Sequence, residues 1–346
     1  MTTVSVKSTG AIGDGVTDDT RSIQIAIDSG DTILFPDAPK FYRITKSLLI
    51  GGTNQVGGKR LIGERNCRGG FGIPLIQGSG GFPLFLMNGT SLQNRSILLF
   101  NLSASQVANS VLSANFAANL FVDECFFQTT SNKLATVSVS NSSGVTIRES
   151  TILCSGDIPT QQGGWALTAY GQCNVLRIMN NQFAGGSLGG AVHIEQSETL
   201  LYQGNRTELG VYGLVVGSGV NLLNPTAGNV TGAGPSNGVT IQSNYFENIE
   251  HSLVIASANN LPNAGIGQAI FGLLIQGNMI GVKDVDNPLI VYGRVGSGVI
   301  WCNSLWRKAG GTAVAIRSTF PANAQYPVPL LAPNSVSNGS GAMTGP

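Results

Sequence analysis

The chain has 346 residues, 11% of them charged and 42% hydrophobic, with 47 glycines and a formal net charge of +1. Charged residues fall below half their usual share of about a quarter, while the apolar content is too high for a disordered chain. The balanced charge argues against nucleic acid or an anionic membrane surface as a partner, and no apolar run is long enough for membrane insertion.

The start, MTTVSVKSTG, lacks the apolar core of a signal peptide, so export by a cleaved leader is not expected. Ala11-Ile12-Gly13-Asp14-Gly15-Val16-Thr17-Asp18-Asp19-Thr20 then leads into Ser22-Ile23-Gln24-Ile25-Ala26-Ile27-Asp28. Asp18 or Asp19 is placed to cap a short helix whose Ile23 and Ile27 share one face. Thr32–Pro36, Tyr42–Ile44 and Leu61–Glu64 read as the first strands. The spacing D-x-D-x-D-G of a calcium loop is absent, so these aspartates read as structural.

This opening closely resembles that of pectate-lyase superfamily domains, found in pectinolytic enzymes and bacteriophage tailspikes. There a GDG-x-TDDT motif, a capping helix, a V-x-F-P-type strand and an L-x-G-E-type strand begin a right-handed parallel β-helix. The resemblance covers roughly the first 65 residues. It implies an all-β fold, a β-solenoid behind a short N-terminal capping helix, and specifies the activity weakly.

The rest of the chain repeats a phrase with apolar residues at positions one, three and eight and a small or polar residue at six. It reads Leu120–Phe127, Val145–Ile152, Leu176–Phe183, Leu200–Thr207, Val239–Phe246, Leu273–Ile280 and Gly298–Leu305, with Ser96–Leu102 as a looser copy. The sixth positions are Phe100, Cys125, Ser150, Asn181, Asn205, Asn244, Asn278 and Asn303, in steps of 24 to 39 residues, most often 25. Such a period of short strands is that of a solenoid coil. The five asparagines in register predict an internal amide ladder, and Asn180, Gly204 and Gly277 before them suit a left-handed bend.

A further strand follows each bend: Val137–Ser140, Leu167–Tyr170, Val192–Glu195, Leu214–Gly217, Leu253–Ala256, Leu289–Tyr292 and Ala313–Ile316. Alternation turns the first and third members inward and lines up Ser138, Thr168, His193 and Val215 outside, beside Ser140, Tyr170, Glu195 and Gly217. The longest insertions, Val220–Ser236 and Asn259–Gln268, flank this array, which is where a groove is expected. Outward Val215, Val254, Ile290 and Val314 offer apolar surface to neighbouring subunits.

Chemistry is sparser. The N-x-D, D-D and H-G signatures of polygalacturonases are missing from the coils, as are the clustered groove aspartates of a calcium-dependent lyase. A catalytic set, if present, is Glu195, His193 and Tyr170, suited to acid–base work or to proton abstraction beside a uronate carboxyl. Thr168, Asp157, Glu208 and Arg294 are the candidates for substrate contact. The competing reading of the His193 and Glu195 pair is an exposed polar stripe or a subunit contact. Asp123 and Arg148 read as a surface ion pair on adjacent coils, next to the stacked Glu124 and Glu149. Trp301 and Trp306 flank Asn303 and read as core closure or a subunit contact, or as a sugar platform.

No cofactor is expected, and Cys67, Cys125, Cys154, Cys173 and Cys302 with His193 and His251 make neither a disulfide scaffold nor a zinc site. The organisation expected is a cap over 1–32, a parallel β-helix over 33–318 and an irregular Pro/Gly/Ser-rich tail over 319–346. The function expected is a tailspike-like virion appendage, a homotrimer assembled in the host cytoplasm with other virion proteins, that binds surface polysaccharide. Cleavage of that polysaccharide is left open. A purely structural virion spike and a stand-alone polysaccharide lyase or glycoside hydrolase are the alternatives.

Overall fold

The computed structural model describes residues 1–51, 58–64, 75–93, 96–130, 134–155, 163–186, 189–217, 236–256, 270–282, 289–293, 295–307, 314–318, 330–331, 334–338 and 343–344. The chain winds into a right-handed parallel β-helix whose coils present three strand stacks, here called the first, second and third faces. The first face is a 13-stranded sheet. It begins with Thr3–Ser5 and Thr32–Phe35 and runs through Ile97–Phe100, Leu120–Asp123 and Ser143–Arg148 to Val295–Trp301 and Leu330–Leu331. The second face contains Phe126–Thr129 and Thr151–Cys154, and the third contains Val137–Ser140, Trp165–Tyr170 and Gly190–Ile194. All pairings between coils are parallel among the described residues, apart from Ser335–Asn338 with Met343–Thr344.

The cap forms as its sequence suggests. Thr20–Ser29 is helical, with Ile23 and Ile27 fully buried against the first coil. Asp19 occupies the N-cap position, but its carboxylate turns away to accept from the Ile12 and Gly13 amides at 2.7 and 3.1 Å. Asp18 takes over at the helix start, accepting from the Thr20 amide at 3.1 Å and from the Thr45 hydroxyl at 2.6 Å. Asp14 accepts from the Val16 and Thr17 amides. The motif thus closes a turn and ties the helix to the next strand.

Between the first and second faces, the residue before each rung is left-handed: φ is 53° at Glu124, 50° at Glu149, 55° at Asn180 and 64° at Gly204. At Gly204 an added Cβ would lie 2.3 Å from Asn180 Oδ1, so the position favours glycine both for its left-handed φ and for space. Behind this bend the ladder runs inside the coil. From Asn205 on, each asparagine Oδ1 accepts the backbone amide and Nδ2 of the rung before it, while its own Nδ2 donates to a strand carbonyl of that preceding coil; Asn181 Oδ1 takes the Ser150 amide alone. For Asn205 these are Asn181 N and Nδ2, both at 3.0 Å, and Ile178 O at 2.9 Å. The pattern repeats at Asn244, Asn278 and Asn303.

Three registers differ from the sequence reading. Phe100 pairs with Asp123 and faces outward, so Leu102, opposite Cys125, holds the early rung. Val314 pairs with Leu289, a core position, which slips the last third-face strand by one residue. The coil pattern also continues into the segment read as an irregular tail. Leu330–Leu331 pairs with Val299–Ile300, Ser335–Asn338 pairs with Ser304–Arg307, and Asn334 Oδ1 accepts from Asn303 N at 2.9 Å as a further rung. The prolines of this stretch of sequence obscure that repeat.

Candidate functional site

On the third face the register of the candidate set holds: Thr168 pairs with His193, and His193 with Val215. These side chains point away from the core yet are covered. His193 is 2% exposed, Thr168 1%, and Val215 and Val254 not at all. The His193 ring packs at 5.0 Å from that of Trp165, which packs against Tyr212, which in turn stacks on His251. Gly190 passes beneath Trp165, where a Cβ would come within 2.3 Å of the indole. His193 Nε2 lies 3.0 Å from the Gly217 carbonyl oxygen, an acceptor, so this nitrogen carries the ring proton. The expected open polar stripe is therefore an aromatic layer over the third face at His193, and that ring is withdrawn from solvent.

Tyr170 and Glu195 are half-buried on adjacent coils, and Glu195 Oε2 accepts from the Gly171 amide at 2.8 Å. Glu208 lies elsewhere, on the second face. It pairs with Arg206 in an ion pair and stands beside Glu247 of the next coil, while Arg206 sits 5.8 Å above the Tyr245 ring. The structure thus brings Thr168, Tyr170, His193 and Glu195 together and separates Glu208 from them. Asp157 and Arg294 lie outside the described residues, as do Cys67 and most of the two long insertions.

An open depression occurs instead on the outer side of the first face, over its early coils, with a volume of about 620 Å³. Alternation builds it: outward residues of successive strands fall into two rows. One row runs Ile62, Phe100, Asp123, Arg148 and the other Arg60, Leu98, Phe121. Phe121 is 38% exposed and gives the floor an uncovered ring. Arg148 Nη2 donates to Asp123 Oδ2 at 2.7 Å, and Asp123 is largely buried. That bond, with the charge of Asp123 and then of Glu149 and Glu124, holds the Arg148 guanidinium above its usual pKa. Glu124 and Glu149 stand at the adjoining bend, where Glu149 accepts from Asn180 Nδ2 at 2.9 Å. The Asp123 and Arg148 pair was visible in the sequence; its setting was not, because Phe100 had been assigned to a rung. Starting the early phrase at Ile97, with Leu99, Leu102 and Ala104 following, recovers the register.

This surface can do what aromatic and aliphatic clefts with few fixed polar groups do: bind an organic ligand and orient it by hydrogen bonds. Among the described residues, no three or more His, Cys, Asp or Glu side chains gather as a metal site, and no helix is long and apolar enough to cross a membrane.

No protein-family model matches the sequence, and no curated protein is significantly similar to it. Solved structures are. The Streptococcus pneumoniae surface protein and adhesin PfbA superposes with a TM-score of 0.52 at 14% identity, over 97% of this chain and 100% of that one. A second PfbA crystal structure gives 0.52 at 13%, covering 97% and 91%. The Dettilon tailspike protein gives 0.47 at 11%, covering 97% and 61%. The likeness to PfbA shows the right-handed parallel β-helix fold.

Proposed function

We propose that the protein is a tailspike-like virion appendage that binds a cell-surface polysaccharide in the first-face depression. The observation that carries this reading is the depression itself: uncovered Phe121 and half-buried Phe100 beside the locked Asp123–Arg148 pair. Sugar rings offer apolar C–H faces to aromatic rings and hydroxyls to fixed charged donors and acceptors, and this surface supplies both. The β-helix scaffold is shared with PfbA, a surface adhesin, and the virion setting rests on the resemblance of the GDG-x-TDDT opening to tailspikes. Catalysis by the third-face set draws little support from its geometry, since His193 is buried and its proton is committed to Gly217 O.

The test is a printed panel of purified bacterial surface polysaccharides, probed with the full chain and with Phe121→Ala. Binding to at least one member, lost about tenfold in the variant, is expected, because truncating a central aromatic contact typically costs more than 1 kcal/mol. A panel without any bound member overturns the reading. Light scattering tests the assembly, with a mass of three chains expected of a homotrimeric spike.

A further inference from the structure

The outer rows of the first face continue well past the depression. From Arg148 the register passes to Met179, Gln203, Gln242, Gln276 and Trp301, one residue per coil. The three glutamines are half-buried and Trp301 is 43% exposed. Five coil steps at about 4.8 Å each set Trp301 about 24 Å along the axis from Arg148. In the parallel row, Arg177 is the one charged residue from Thr146 to Val299.

Charge decides what such a surface accepts. In the depression Arg60 and Arg148 stand with Asp123, to which Arg148 is bonded, while Glu124 and Glu149 lie at the bend beside it and Arg177 in the neighbouring row further along. Along the whole track three guanidiniums, Arg60, Arg148 and Arg177, balance three carboxylates, Asp123, Glu124 and Glu149, so an anionic repeat laid there meets no net positive field. Beyond the depression, the outermost row offers side-chain amides, each able both to donate and to accept, as a sugar hydroxyl does. They recur once per coil, a spacing comparable to one sugar ring.

Resting on the function proposed above, we infer that the first face binds an uncharged polysaccharide strand laid parallel to the helix axis, from the Phe100 and Phe121 depression along the glutamine row to Trp301. Each amide meets one sugar unit in turn, and the two exposed aromatic ends hold the strand. An acidic polysaccharide gains no net attraction there, because the guanidiniums are matched by Asp123, Glu124 and Glu149 and Arg148 is already bonded to Asp123.

The experiment measures affinity for the bound members of the panel and for their size-fractionated fragments, at 50 and 500 mM NaCl. The expected ligands are neutral, with affinity changing less than about twofold across that salt range, as for contacts without a net ionic component. Phe121→Ala weakens short and long fragments alike by about tenfold, and Phe121→Tyr, which keeps the ring, retains binding. Trp301→Ala weakens long fragments and leaves those of one or two sugars unchanged. Binding confined to acidic, salt-sensitive polysaccharides but still lost in Phe121→Ala overturns the inference while leaving the binding site in place. Equal affinity of Trp301→Ala for long fragments overturns the axial track. A complete absence of binding overturns both the inference and the function on which it rests.

Discussion

The same bend is built in two ways at the two ends of the ladder. In the early coils the rung is Cys125 or Ser150, and in the later ones it is asparagine. Ser150 Oγ accepts the Cys125 amide of the preceding coil at 3.0 Å and donates to Arg148 O of its own coil at 2.8 Å, both backbone groups. Asn205 instead reaches both neighbouring coils, taking two donors from Asn181 and giving its Nδ2 to Ile178 O and Asn244 Oδ1. Both satisfy the buried backbone, and both follow a left-handed residue. The difference is one of reach: the Ser150 hydroxyl ties its own turn to the coil before it, whereas a primary amide stitches three coils. Later rungs therefore bond to one another's side chains, whereas Ser150 meets its neighbours only through backbone groups.

The largest effect expected from breaking this contrast is at Asn205→Ala. It removes four buried hydrogen bonds at once, and a loss of about 4 kcal/mol, read from the urea midpoint, is expected. Ser150→Ala is the matched change in the early part, removing two bonds, and a loss of about 2 kcal/mol is expected by the same measurement. If the two losses were equal, the distinction between the ladder's halves would fall. Gly204→Ala tests the bend rather than the rung. The left-handed φ and the contact with Asn180 Oδ1 should cost about 1 to 2 kcal/mol, visible as a lower thermal midpoint.

The mildest probe is chemical. Cys125 fills a rung with its Sγ on the Leu99 and Asp123 carbonyls, and Cys173, on another bend, has its thiol pushed up to about 11 by burial. Cys302 is exposed in the left-handed position before Asn303. Among the described cysteines, a thiol reagent at pH 8 should label Cys302 within minutes and Cys125, Cys154 and Cys173 only on unfolding. Rapid labelling of Cys125 in the native protein would show that the early rungs open freely.

Much of this architecture was legible because it repeats. Asn181 to Asn303 announce themselves by recurrence, and alternation places Val192 and Ile194 inward and His193 outward. Alternation says which side of a sheet a residue takes and nothing about what lies over it. That is why His193, Thr168 and Val215 read as solvent-facing and are buried. The depression escaped for another reason. It needs four coils in the right register, and a shift of two residues at Phe100 removes its floor. Asn334 was hidden by composition, since its prolines looked like the end of order although Leu331, Asn334 and Val336 keep the phrase.

The ladder also has a direction. Every asparagine oxygen is offered to the rung that came earlier in the chain, so each coil's amide donors wait for an acceptor that has not yet been synthesised when the coil emerges from the ribosome. Asn181 N and Nδ2 find theirs when Asn205 arrives, and Asn303 when Asn334 does. Cotranslational winding of this protein is thus intrinsically one-way: a new turn finishes the one beneath it and opens the same need above. A ribosome pause after one turn leaves a growing tip with exposed donors, and the following turn of the same chain is the partner shaped to close them.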